Sequence, residues 1–101
     1  MRAARTDANH AEIVQAFRQC GARVLSLAKV GNGCPDLLVY VGCVLRLVEV
    51  KRPKAKGARA GTLTPDQERF HAEWPVITVR TLADVETIVR LMQSVELIRR
   101  R

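Results

Sequence analysis

Aromatic residues are scarce in this chain: one Trp, one Tyr and two Phe make up 4% of its 101 residues. A core built here must draw on Val, Leu and Ile, which suits strands covered by helices. No apolar run is long enough to span a membrane, and no apolar stretch near Met1 looks like a signal peptide, so cytosolic residence is the expectation. The three cysteines, Cys20, Cys34 and Cys43, are odd in number and follow no zinc spacing. That argues against a disulfide framework and casts them as small buried hydrophobes. His10 and His71 are too few and too scattered for histidine catalysis, and both read as surface residues. Repeats and low-complexity segments are absent as well.

What the chain has in excess is positive charge. Seventeen Lys and Arg against ten Asp and Glu leave a net charge of +7 and a pI of about 10.2. That favours a polyanionic partner, with nucleic acid the first choice; the bland alternative is a soluble basic protein and no more. The length suits one domain, and 48% apolar residues are enough for a single core. A domain this small buries only a modest share of its surface, so pairing with a second copy would help it.

Periodicity predicts a helix from about Asp7 to Cys20, with Ile13, Phe17 and Cys20 at helical spacing, Thr6 or Asp7 as cap and Gly21 as stop. Arg23 to Val30 reads as a strand, and Gly31-Asn32-Gly33 as a loop able to take positive φ angles. Leu37 to Val41 and Val44 to Lys51 are β-rich runs, with Gly42-Cys43 as a two-residue hairpin turn. Their nearly continuous apolar character predicts cover on both faces. Thr64-Pro65-Asp66-Gln67 opens a second helix with a capping box, and that helix stops near Trp74-Pro75. Val76 to Arg80 is a further strand, and Thr81 caps a last helix reaching toward the C-terminus. The last helix carries one apolar stripe at Val85, Val89 and Met92 and a second at Ile88, Leu91, Val95 and Ile98. One stripe covers a sheet; the second either docks a partner chain or widens the core face. The order α-β-β-β-α-β-α predicts an α/β domain with a mixed sheet. Arg99-Arg100-Arg101 reads as a solvated, frayed tail, with contact to a phosphate backbone as the alternative.

The chemistry centres on Glu49-Val50-Lys51. A strand repeats every two residues, so Glu49 and Lys51 share one face while Val48 and Val50 share the other. An acid and a lysine at the end of a buried strand are costly unless they pair or bind a metal. The hairpin brings Asp36, at the start of the preceding strand, toward Glu49. Two carboxylates with a lysine beside them suit metal-dependent phosphodiester cleavage: the acids hold a divalent cation, with the Val50 carbonyl as a third oxygen ligand. The bland alternatives are a surface ion pair for Glu49 and Lys51 and an ordinary turn at Pro35-Asp36.

Gly33-x-Pro35-Asp36, then Glu49-x-Lys51, then Leu63-Thr64-x-x-Gln67 resembles the virus-type replication-repair nuclease (VRR-NUC) family of the PD-(D/E)xK nuclease superfamily. Each motif is short, but their order and spacing together are fairly specific. The resemblance covers nearly the whole chain, read as a single domain over residues 1–101. It implies a restriction-endonuclease-like αβββαβ core with an added C-terminal helix. It also implies a Mg²⁺- or Mn²⁺-dependent DNA endonuclease that leaves 5′-phosphate and 3′-hydroxyl ends. Asp36 and Glu49 would be metal ligands, and Lys51 would orient or activate the water and offset developing charge. Glu12 matches the family's helical acid, reaching the metal site through water or binding a second ion. Gln67 matches the family glutamine beside the site. An exposed helix acid and a plain capping residue are their bland readings. Small single-domain members look like Holliday-junction resolvases and tend to act as symmetric dimers on branched DNA, in a phage-infected or bacterial cell. The basic loop from Arg52 to Gly61, with Arg52, Lys54, Lys56 and Arg59 and no acid, reads as a phosphate clamp that orders on DNA, with a solvated loop as its bland alternative. It has no aromatics for base stacking, so it reads backbone and shape. The competing readings are a nucleic-acid-binding module without catalysis and a nuclease subunit that needs a partner protein.

Overall fold

The computed structural model describes residues 8–53 and 63–100. Within them the order is α1 (Ala8–Gln19), β1 (Arg23–Ser26), β2 (Leu37–Val41), β3 (Val44–Val50), α2 (Pro65–Glu73), β4 (Val76–Val79) and α3 (Leu82–Arg100). The strands form one four-stranded sheet in the order β1-β2-β3-β4. β1, β2 and β3 are antiparallel neighbours, and β4 returns parallel to β3 through the α2 crossover, so the sheet is mixed as expected. The proposed caps Thr6 and Asp7 and the loop residues Lys54, Lys56 and Arg59 lie outside the described residues. Among the described residues, no helix is long and apolar enough to cross a membrane.

Local chemistry explains most boundaries. Gly21 takes φ +91°, which lets Ala22 N–H donate to the Phe17 carbonyl and closes α1. Gly42 takes φ +61° as the first residue of the hairpin turn. At the start of α2, Thr64 Oγ1 accepts from Gln67 N–H while the Gln67 side chain accepts from Thr64 N–H. Thr81 and Asp84 exchange the same pair of bonds at the start of α3.

The strand expected over Arg23 to Val30 ends at Ser26. In register with β2, Ser26 faces Leu37, and one more bond runs from Leu27 N–H to the Asp36 carbonyl. The next partner would be Pro35, which has no N–H to continue the ladder. The chain turns there, and Val30 N–H bonds back to the Leu27 carbonyl.

The core lies on one side of the sheet. Leu37, Val39, Val41, Val44, Val48 and Val79 are buried beneath Ile13 and Phe17 of α1 and Val85, Val89 and Met92 of α3. The expectation of cover on both faces fails. Tyr40 and Leu45, paired on the other face, are exposed, and α2 contains no buried residue. An apolar sequence shows that a strand can be buried on both sides; whether a helix arrives to bury it depends on connections elsewhere.

The second stripe of α3 divides. Ile88 is half-buried and packs against the core, while Leu91 and Val95 are exposed, and the Ile98 side chain lies outside the description. The cysteines are less buried than expected: Cys20 and Cys34 are half-buried, and Cys43 is exposed in the hairpin turn. Both histidines are half-buried; His71 lies four residues after Gln67 and shares its side of α2.

Candidate active site

The end of β3 places an acid and a base where two other segments converge. Glu49 and Lys51 project from the face opposite the core, while Val48 and Val50 hold the strand down from the other side. The β2–β3 register pairs Leu37 with Val48, which puts Asp36 across from Glu49. There the β2 ladder has ended, and Asp36 Oδ2 accepts from the Val50 N–H at 2.8 Å. The N–H and C=O of one strand residue point to the same side, so the Val50 carbonyl also points toward Asp36.

Gln67 joins the two halves of the site. Its Oε1 accepts from Lys51 Nζ at 3.1 Å and from Thr64 N–H at 3.0 Å, and its Nε2 donates to Glu49 Oε2 at 3.0 Å. Both ends of the amide are therefore oriented by partners of the matching sense. The same side chain that caps α2 spaces the lysine from the carboxylate; Lys51 Nζ stands 3.8 Å from Glu49 Oε2. Gly33 sets the approach of α2 to the loop before Asp36. A Cβ there would lie 2.4 Å from the Asp66 carbonyl oxygen, so only glycine lets the two backbones meet, and its φ of +79° adds a second reason.

Burial dominates the electrostatics. Glu49 is 2% exposed, and its Oε1 is buried without a hydrogen-bond partner. Desolvation first, and the neighbouring Asp36 carboxylate second, push Glu49 up to about 7, against the pull of Lys51 and Gln67. Burial, reinforced by the charges of Glu49 and Asp36, also pushes the Cys34 thiol up.

Four of the residues expected from the sequence thus meet: Asp36, Glu49, Lys51 and Gln67, with the Val50 carbonyl at their edge. Glu12 is exposed on α1, and no group of three His, Cys, Asp or Glu side chains able to hold a metal occurs among the described residues. Arg52 is exposed immediately past the site. Three contributors were not anticipated. Asn9 Nδ2 donates to the Lys51 carbonyl at 2.9 Å, and Arg80 Nη1 donates to the Arg52 carbonyl at 2.8 Å. Cys34 sits against the carboxylates, and its adjacency to Pro35-Asp36 was the available signal. For Asn9 and Arg80 no sequence spacing gives one. A broad depression along α1 and β1, lined by His10, Gln15, Arg18 and Ser26 among others, shares no residue with this site.

The donor set fits a hard divalent cation. Two facing carboxylates, one with an unpartnered buried oxygen, and a main-chain carbonyl beside them are all oxygen donors. Mg²⁺ commonly takes one or two protein carboxylates and keeps water in its remaining positions, so the lack of a third acid does not spoil the fit. No family model, no curated protein and no solved structure matches the chain.

Proposed function

We propose that this chain is a Mg²⁺- or Mn²⁺-dependent DNA endonuclease with a restriction-endonuclease-like core, acting on branched DNA in the manner of a junction resolvase. The observation that carries the reading is the meeting of Asp36 and Glu49, whose Oε1 is buried without a hydrogen-bond partner, beside Lys51 and Gln67. A buried carboxylate whose proton affinity is raised by burial and by a second carboxylate is poorly suited to stability alone and well suited to a cation.

Asp36, Glu49 and the Val50 carbonyl would hold the ion. When bound, the ion supplies Lewis-acid polarisation of a phosphoryl oxygen and a lowered pKa for water. The remaining work falls to the chain. Lys51 presents its ammonium group beside the carboxylates, where it offsets charge building on the phosphate during in-line attack by water. Gln67 holds Lys51 and Glu49 in register, and Asn9 fixes the main chain at Lys51 from α1. Glu12, exposed on α1, would act through water or a second ion. Arg52, followed by Lys54, Lys56 and Arg59, would grip the DNA backbone by charge.

The test is cleavage of labelled four-way junction, flap and plain duplex DNA with Mn²⁺, Mg²⁺ or EDTA. Metal-dependent cuts, symmetric in the junction and ending in 5′-phosphate, are expected. Tight junction binding without any cutting would replace this reading with a binding module or a subunit awaiting its partner.

A further inference from the structure

β3 and β4 part just past the candidate site, and side chains hold the main chain where the sheet stops. The parallel register that pairs Val50 with Val79 continues for one more bond, from Lys51 N–H to the Val79 carbonyl at 3.0 Å. In a parallel ladder the next bond would run from Thr81 N–H to the Lys51 carbonyl. Thr81 N–H goes instead to Asp84 Oδ2 at 3.1 Å, and the same oxygen accepts from Arg80 N–H at 2.9 Å. Those bonds start α3, so capping the helix ends the sheet. Two side chains supply the donors for the next carbonyls. Asn9 Nδ2 reaches the Lys51 carbonyl, and Arg80 Nη1 reaches the Arg52 carbonyl at 2.8 Å. Pro53 follows, with no N–H of its own to bond.

We propose that Arg80 is a positioning residue for DNA binding: it fixes the Arg52 main chain so that the exposed Arg52 side chain meets a backbone phosphate beside Lys51. This role rests on the proposed DNA-cutting function, and only on its DNA-binding half. Arg80 is half-buried and Arg52 is exposed, so the inner arginine holds and the outer one is presented. A guanidinium on a carbonyl makes a charge-assisted hydrogen bond, one of the stronger kinds. The Arg80 main chain is itself held by Asp84, so a continuous line of bonds runs from the start of α3 to the first residue past the site. An arginine following a free strand end would lose much conformational freedom on gripping phosphate. Fixing its main chain beforehand reduces that loss. The two side-chain props then divide the work. Asn9 holds the residue that carries the ammonium group, and Arg80 holds the residue that carries the first guanidinium.

The acceptor of Arg80 is a main-chain carbonyl, so Arg52→Ala leaves that hydrogen bond in place and removes only the side chain it positions. A double-mutant cycle therefore separates positioning from direct contact. Binding of a labelled four-way junction in EDTA is measured over a salt series for wild type, Arg52→Ala, Arg80→Gln and the double variant. Each phosphate contact contributes about 0.9 to the slope of log affinity against log salt. The expected result is that Arg52→Ala lowers the slope by about 0.9 and weakens binding roughly three- to tenfold. Arg80→Gln does nearly the same, and the double variant binds within about twofold of Arg52→Ala. Should Arg80→Gln fail to fold, Arg80→Met, which keeps the apolar stem and has no donor, takes its place in the cycle. Additive losses, with the slope lowered by about 1.8 in the double variant, would make Arg80 a phosphate contact in its own right and overturn the proposal. So would an Arg80→Gln chain that binds like wild type. Cleavage with Mn²⁺ is read on the same wild-type sample. Binding without cutting removes the nuclease function and leaves Arg80 to be judged by the cycle; a wild type that does not bind the junction overturns both.

Discussion

The two faces of the sheet are built from the same strands and do opposite things. On one, Leu37, Val39, Val44 and Val48 are sealed beneath α1 and α3. On the other, Tyr40 and Leu45 face outward, and α2, the only helix there among the described residues, buries none of its residues. β3 serves both: Val48 and Val50 anchor it to the core, and Glu49 and Lys51 on the alternate positions form the site. An acid with one unpartnered oxygen can be held in place only because the neighbouring valines supply the burial that fixes the strand. Burial is concentrated on one side of the sheet and the candidate site on the other, one residue apart.

Substitutions can separate the two sides. Lys51→Ala should lower cleavage by about three orders of magnitude or more, the scale of losing a charge-stabilising group, with an unchanged melting curve. Turnover like wild type from the purified variant would remove Lys51 from the chemistry. On the core side, Phe17→Ala should cost about 3–5 kcal/mol of unfolding free energy, because Phe17 is fully buried, whereas Leu45→Ala on the open face should cost under ~1 kcal/mol in the monomer. Urea titration of both variants checks this, and equal losses would erase the distinction between the faces.

The acid pair gives a pH dependence of its own. Glu49 is raised to about 7 in the folded chain, above its unfolded value. Between those two values the folded state keeps a proton that the unfolded state releases, so stability falls as pH rises toward about 7 and then levels. The loss should be roughly 2–3 kcal/mol in EDTA. Urea midpoints measured at pH 5 and pH 8 test it, and Asp36→Asn should shrink the difference. Smaller still is the contrast between two glycines with nearly the same φ. Gly31 and Gly33 have φ +78° and +79°, but only Gly33 meets the backbone of α2. Gly31→Ala should cost about 1–2 kcal/mol from φ alone. Gly33→Ala should cost more and also disturb the Gln67 side-chain amide resonances. Identical spectra around Gln67 in the two variants would show that the contact does not position the helix.

Much of this was legible in the chain because it is local. Alternation in β3 assigned Glu49 and Lys51 to one side, Gly42 marked the hairpin, and Thr64 and Thr81 marked two helix starts. The early end of β1 was not legible, since Pro35 acts on it across the sheet and not along it. The open face was hidden for a similar reason: Tyr40 and Leu45 are apolar whether or not a helix covers them. Asn9 lies 42 residues from Lys51, and nothing in its own neighbourhood points there.

Calorimetric titration of Mn²⁺ into the wild-type chain and into Asp36→Asn at pH 8 tests the central claim most directly. The account predicts saturable binding that releases protons as the pH is lowered toward 7 and that is lost in the variant. Absence of binding in the wild type, or equal binding by the variant, would contradict it.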